Sequence, residues 1–292
     1  MKTDNKIEIP KALGGEAEKG KYELVDGNKK KVSDIDAIFP ILKEINPAEW
    51  ELIGTGFFIT DNGIFVSAKH VFMDVMDKNG KQKYPIFILQ KLPDKQIIQR
   101  NVRYCSTNDV ADVGIGVLDQ LKNDSTGELI QNKIITLAPV APDLGETIVT
   151  FAYPRHNKII EYDSFGYIFL PDFYDGKLEE YYINGRDQVK LPAPCYRTTI
   201  NIHGGASGGP VFGPSGHAFG VNSTSFNSAP DISFVSRINE ILSLRVNDIS
   251  IYGSKPESTT IFELAKRGFV KFQPSPYMMQ SRNKEGILVY SY

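Results

Sequence analysis

Residues 203–213 read HGGASGGPVFG, five glycines around a single serine, Ser207. A serine hydroxyl is a weak nucleophile at neutral pH. To attack a carbonyl it needs a base to take its proton and donors to hold the oxyanion that develops. The glycines answer the second need. Successive backbone N–H groups converge on one oxygen only where the chain curves tightly and no side chain obstructs it. Gly205 and Ser207, with Ala206 between them, are the natural donor pair, and Gly208 and Gly209 let the chain leave close behind the hydroxyl.

The base must be a histidine, and the chain has four: His70, His156, His203 and His217. His156 falls in YPRHNK, read as a loop. His203 shares the glycine-rich loop with Ser207, and His217 falls in the turn GPSGHAF. These three read most simply as loop or surface residues. His70 is different. It ends the apolar run GIFVSAKH and opens HVFMDVM, so a strand end and a short helical turn would present it to a cleft. A histidine base needs a carboxylate on its other nitrogen. Asp112, in ADVGIGVL, opens an apolar strand, an unusual place for an acid unless it is paired. Asp109, in TNDVAD, competes, but it falls in the turn and reads as solvated; Asp112 is preferred.

The elements around these residues read as β. ELIGTGFFIT and IFVSAKHVF flank a DNG turn, and YPIFILQ, QIIQRNVRY, DVGIGVL and KIITLAP follow. ETIVTFAYP, FGYIFLP, YYING, YRTTINI, GPVFG, HAFGVNST and DISFVSR repeat the texture in the second half. Many short strands punctuated by Gly, Pro, Asn and Asp predict barrels or sandwiches. The doubling divides them into two β units at about residue 138. Before them, residues 1–33 read as a polar tail, and VSDIDAIFPILKEI (32–45) reads as a short helix broken at Pro40. After them, Thr259 or Thr260 would cap a helix through IFELAKRG, stopped by Gly268.

The chain has 292 residues, with 33 basic and 35 acidic side chains and a net charge of −2. That balance supplies no field to attract nucleic acid or an acidic membrane. The start carries no apolar signal segment and no apolar run approaches the ~18 residues of a membrane span, which points to a cytoplasmic protein. Cys105 and Cys195 have neither CxxC spacing nor a neighbouring histidine, so neither a zinc site nor a cofactor is expected.

Three segments in this order, GTGFFITDNGIFVSAKHVF, ADVGIGVL and GGASGGPVFG, resemble the signature segments of trypsin-like serine proteases. ETIVTFAYP and GVNSTSFNSAPDISFVS further resemble the second-barrel segments of bacterial members such as the HtrA proteases. The resemblance covers about 50–240. It implies an all-β chymotrypsin-like fold, two six-stranded antiparallel barrels at about 49–138 and 139–245, with extensions at 1–48 and 246–292. It also implies a Ser-His-Asp endopeptidase working through an acyl-enzyme: His70 the general base, Asp112 its orienter, Ser207 the nucleophile, and Gly205 and Ser207 N–H the oxyanion hole. Substrate would be a protein or peptide whose main chain adds as a strand beside Ser223, Thr224 and Ser225. Asn201, Ile202, Asn222 and Thr224 would wall the primary specificity pocket. None is acidic, which disfavours cleavage after Lys or Arg.

The chain departs from the family in places. Digestive members carry Asp before the serine, paired with a new N-terminus released by cleavage. Ala206 stands there, so ALGGEAEKG (12–20) reads as a chance likeness to such a terminus. HtrA proteases usually continue into a PDZ domain, for which 246–292 is too short. Lys69 replaces a small residue before the histidine and must reach outward. The alternative reading is a catalytically silent protease fold that binds a peptide or protein. Either way, the two extensions are the expected places for a regulatory partner.

Overall fold

The computed structural model describes residues 6–9, 36–47, 49–92, 95–123, 126–161, 164–226, 229–250, 255–273, 279–282 and 288–291. The segments ALGGEAEKG and DGNKKK of the N-terminal tail lie outside the described residues. The first strand, β1 (Lys6–Glu8), comes from that tail.

Six strands, β2 (Ile38–Asn46), β3 (Glu49–Phe58), β4 (Ile64–Ser67), β5 (Ile86–Lys91), β6 (Ile97–Thr107) and β7 (Gly114–Leu118), close an antiparallel barrel in the order β2-β3-β4-β7-β6-β5. Phe39, Phe58 and Phe65 fill it, with ring centroids 4.5 and 5.3 Å from Phe39. The strand β2 corrects the helix expected over 32–45, and the barrel therefore starts before residue 49. Ile38, Phe39, Ile41 and Leu42 are all buried, an apolar run with material on both faces rather than a helical stripe. Pro40 breaks no ladder. It pairs with Thr55 of β3, while pairing to β5 runs only over Ile41–Lys43, so no partner awaits its missing N–H on that side.

Six more strands, β8 (Thr147–Glu161), β9 (Ser164–Tyr182), β10 (Cys195–Thr198), β11 (Pro210–Phe212), β12 (Ala218–Phe226) and β13 (Ala229–Arg237), form a second antiparallel ring in the order β8-β9-β10-β13-β12-β11, closed by β8 on β9. The run FGYIFLP and the first two residues of YYING, read as separate strands, belong to one strand, β9, which ends at Tyr182. KIITLAP is not a strand. Its Leu137 makes only single bridges, to Ala218 and Phe272, while Ile135 and Leu137 fill the core. The β8–β9 hairpin outgrows its barrel. β11 pairs with it at Val149 and Thr150 and β10 at Leu178–Tyr182, yet its own ladder runs on to Glu161 and Ser164. That arm crosses to the first barrel, where Tyr167 stacks on Trp50 (5.5 Å, 15°) and its hydroxyl accepts the Trp50 N–H at 3.0 Å. The strand β1 lies parallel to the arm, along Gly166–Ile168.

A 3-10 turn (Ile238–Ile241) follows β13. Next come the antiparallel pair β14 (Arg245–Ile249) and β15 (Glu257–Thr260), and then α2 (Ile261–Lys266), the short α1 (Lys69–Met73) being the earlier helix. The Thr260 side chain caps α2 by accepting the Glu263 N–H, and Gly268 beyond it has φ +79°, as the sequence predicts. Val246, Ile261, Phe262 and Leu264 join the main core, and the Tyr104 hydroxyl of β6 donates to the Asn247 carbonyl at 3.0 Å. Part of the C-terminal extension is thus built onto the first barrel. A further pair, β16 (Met279–Arg282) and β17 (Leu288–Ser291), lies beyond it. Among the described residues no helix is long and apolar enough to cross a membrane.

Candidate active site

Where β4 ends, Ala68 turns the chain into α1 and His70 falls in the first turn. The first N–H groups of a helix have no partner within it. That of His70 is used: it donates to Asp112 Oδ1 at 3.0 Å, while ring Nδ1 meets Asp112 Oδ2 at 2.9 Å. One carboxylate thus holds both the backbone and the ring of the same residue. The other ring edge faces outward, the His70 side chain being 48% exposed against 12% for Asp112.

Asp112 is delivered by the β6–β7 connection, which Asn108 organises. The Asn108 Oδ1 accepts the N–H groups of Val110 and Ala111, both at 3.0 Å, and its own N–H donates to the Val113 carbonyl at 3.0 Å. Buried Ala111 and Val113 anchor the loop on either side of the acid. The competing Asp109 is exposed; its carbonyl accepts Lys69 Nζ at 2.8 Å, so Lys69 does reach outward. Burial alone would raise the Asp112 carboxyl, but the hydrogen bonds and charge of His70 and the Ser223 hydroxyl outweigh it and hold it below the ordinary carboxylate value.

Ser207 arrives from the second barrel. Ala206 N–H donates to the His203 carbonyl at 3.0 Å, and Gly209 N–H to the Ala206 carbonyl at 3.1 Å, so two tight turns follow one another. The third residue of each is a glycine at positive φ, Gly205 at +90° and Gly208 at +87°, which type II turns demand. Gly208 is also pressed against the first barrel, where a Cβ would stand 2.1 Å from Ser67 Oγ and 2.3 Å from the Thr55 carbonyl. Across the cleft, Thr55 N–H donates to the Ser207 carbonyl at 2.8 Å. Among the described residues, neither Gly205 N–H nor Ser207 N–H donates to a backbone carbonyl, which leaves that pair available.

Ser223 joins the two halves. Its hydroxyl donates to Asp112 Oδ2, and its carbonyl accepts the Ser207 hydroxyl at 3.3 Å. The reason is a β-bulge. Asn222 pairs with Val235 and Thr224 with Phe234, so Ser223 is the unpaired extra residue, re-aimed at the cleft. The sequence reading made Ser223 a substrate contact only; a bulge depends on cross-strand register, which no local pattern announces. Ser207 makes its hydrogen bond to Ser223 rather than to His70.

The remaining expected residues divide. Asn201, Thr224 and Ser225 are half-buried, and Ile202 is buried, with Ser225 Oγ donating to the Ile202 carbonyl at 2.8 Å. The side chain of Asn222 instead turns inward. It is 0% exposed and donates to Thr150 Oγ1 at 2.6 Å and to the Ala206 carbonyl at 3.3 Å, holding the turn from beneath. The other histidines lie apart from this linkage. His156 lies within β8, not a loop, with its ring stacked over Phe169 and Tyr167 at 6.0 and 6.4 Å. His203 sits edge-on to Tyr174 at 5.6 Å, and burial pushes the His217 ring below its ordinary value. Both thiols are free, and among the described residues no cluster of His, Cys, Asp or Glu could hold a metal ion.

The sequence profile of the trypsin-like peptidase domain matches residues 54–221, more than half of the chain. By sequence, no curated protein matches it. Among solved structures, Deg5 is similar at 17% identity and a TM-score of 0.50, over 70% of this chain and 84% of that one. The active form of the Rv3671c protease from M. tuberculosis is similar at 17% identity and a TM-score of 0.48, over 71% and 78%. The matched span takes in Thr55, His70, Asp112 and Ser207 and stops two residues short of Ser223, and the chain belongs to the trypsin-like peptidase family.

Proposed function

We propose that the protein is a serine endopeptidase. The observation that carries this reading is the linkage across the cleft: His70 on Asp112, Asp112 on the Ser223 hydroxyl, and the Ser223 carbonyl on the Ser207 hydroxyl. With substrate seated, Ser207 Oγ attacks the peptide carbonyl carbon and its proton passes to His70 Nε2. The carbonyl electrons move onto oxygen, held by Gly205 and Ser207 N–H. The C–N bond breaks, the amine leaves with the proton from His70, and an acyl-enzyme remains. Water then adds to the acyl carbon as His70 takes its proton, and the acid leaves while Ser207 regains its hydrogen. Asp112 stays ionised throughout and stabilises the imidazolium.

Substrate main chain would lie along β12. The β11 ladder reaches only Val221, and Gly208 and Gly209 bond to Asn222, so among the described residues no strand pairs with Thr224 and Ser225 on that side. An extended peptide adds there with uncharged Asn201, Ile202, Thr224 and Ser225 around its side chain, which favours an uncharged residue before the scissile bond.

The test is a fluorophosphonate probe, from whose phosphorus Ser207 Oγ would displace fluoride. Wild type is expected to be labelled and Ser207→Ala to be blank. An unlabelled wild type, or equal labelling of both, overturns the reading and leaves a protease fold that binds peptides without cutting them.

A further inference from the structure

Thr55 lies in the middle of β3, in the first barrel, yet every polar atom it has is engaged at the cleft. Its N–H donates to the Ser207 carbonyl at 2.8 Å. Its carbonyl accepts Ser67 Oγ at 2.8 Å. Its hydroxyl accepts the Tyr153 N–H of β8 at 3.0 Å and donates to the Gly205 carbonyl at 2.8 Å. The residue is 0% exposed, so none of these bonds competes with water.

We infer that Thr55 is a positioning residue, whose hydroxyl holds the 203–207 turn with the Gly205 and Ser207 N–H groups presented to substrate. The inference rests on the reading of those groups as an oxyanion hole. Gly204 and Gly205 are adjacent, and a pair of glycines has many backbone conformations of similar energy. An oxyanion hole works only if its donors are aimed before the charge develops. Something must therefore remove the freedom that the glycines bring. The Gly205–Ala206 peptide is held at both edges, its C=O by Thr55 Oγ1 and its N–H by the His203 carbonyl at 3.0 Å. With that plane fixed, the Gly205 N–H in the preceding peptide has only the two bonds at the Gly205 Cα to turn about. The Ser207 side is fixed by the Thr55 N–H. Beneath, Gly205 sits so close to β8 that a Cβ would stand 2.6 Å from the Tyr153 carbonyl, so the turn rests on the same strand that feeds the threonine hydroxyl. Only a hydroxyl can accept from Tyr153 and donate to Gly205 through one atom in this space. The Ala206 side chain is buried in the apolar cluster with Ala152 and Val211 and makes no hydrogen bond, so the Asn222 amide and the Gly209 N–H hold the next peptide only through the Ala206 carbonyl.

The experiment compares wild type, Thr55→Val and Thr55→Ser by the concentration dependence of fluorophosphonate labelling and by thermal melting. Thr55→Val keeps the shape and removes the hydroxyl. It is expected to lower the maximal labelling rate at least tenfold, with the half-saturating probe concentration within about threefold of wild type. Thr55→Ser restores the rate to within about threefold, even where its melting temperature falls. A role confined to packing gives the opposite pattern, with melting changed in both variants and labelling in neither. Wild-type labelling rates in a folded Thr55→Val, or no recovery in Thr55→Ser, overturn the inference. If Thr55→Val does not melt cooperatively, Thr55→Ala carries the same expectation and the same refutation. Failure of wild type itself to label overturns the endopeptidase reading, and this inference with it, which separates the two failures.

Discussion

Asp112 carries three bonds with two oxygens: the His70 N–H, the His70 ring and the Ser223 hydroxyl. Each favours the ionised form, which is why a half-buried acid stays charged against the cost of burial. The sign of the stability effect follows. The folded carboxyl lies below the ordinary value of 3.8, so the native state binds its proton less readily than the unfolded chain. The stabilisation is present in full above that ordinary value and is lost as pH falls through the lower, folded one. Asp112→Asn should remove this component. Its melting temperature is expected to fall less than that of wild type on acidification from pH ~5 to ~2. At neutral pH the same variant should label about 10³–10⁴-fold more slowly, because the amide presents the wrong partner to His70 Nδ1. Parallel melting curves across that acid range would contradict the assignment of the charge.

At the scale of elements, the 203–209 segment is two consecutive turns wedged between barrels, and Gly208 is its tightest point. A side chain there meets the Thr55 carbonyl at 2.3 Å, which is backbone and cannot swing away, and φ is +87°. Gly208→Ala is therefore strained in conformation and in space. The conformational part alone costs roughly 1–3 kcal/mol, enough to lower melting by several degrees in a chain of this size. Relief requires the turn to back away from β3, which breaks the Thr55 contacts, so labelling should fall with stability. Gly204→Ala is the control, since no atom lies within 4 Å of where its Cβ would stand. Equal labelling by the two variants would contradict this account of the wedge.

For the whole molecule, the β8–β9 arm adds a connection between the barrels away from the cleft. Tyr167 and Trp50 join it to the first barrel, and β1 covers Gly166–Ile168 with Ile9 following into the core at 5% exposure. Burying an isoleucine is worth roughly 1.5–3 kcal/mol. An Ile9→Asp substitution should release β1, speed amide exchange along 166–168 and lower the melting temperature by a few degrees. Unchanged exchange there would show that the arm does not depend on the tail.

The residues that meet at the cleft were legible as candidates because the chemistry proposed for them restricts composition locally. Glycines at positive φ, an acid opening an apolar strand and a histidine at a strand end each leave a mark within a few residues, as does the Thr260–Glu263 cap of α2. The choice of Asp112 over Asp109 was legible for the same reason, since a buried carboxylate needs partners and a solvated one does not. What neighbours in sequence do not specify was settled only on folding. The run at 38–46 has an apolar pattern short enough for either helix or strand, and pairing with β3 and β5 made it a strand. Ser223 reaches Asp112 only because a register shift leaves it without a partner on β13. Thr55, an ordinary strand threonine in sequence, gains its place from two carbonyls about 150 residues away along the chain. Sequence constrains what each segment is able to do, through propensity and local sterics. Which segments meet is decided by closure of the two barrels, because the hydrogen bonds that aim the turn run between strands remote in the chain and form only when both barrels are complete.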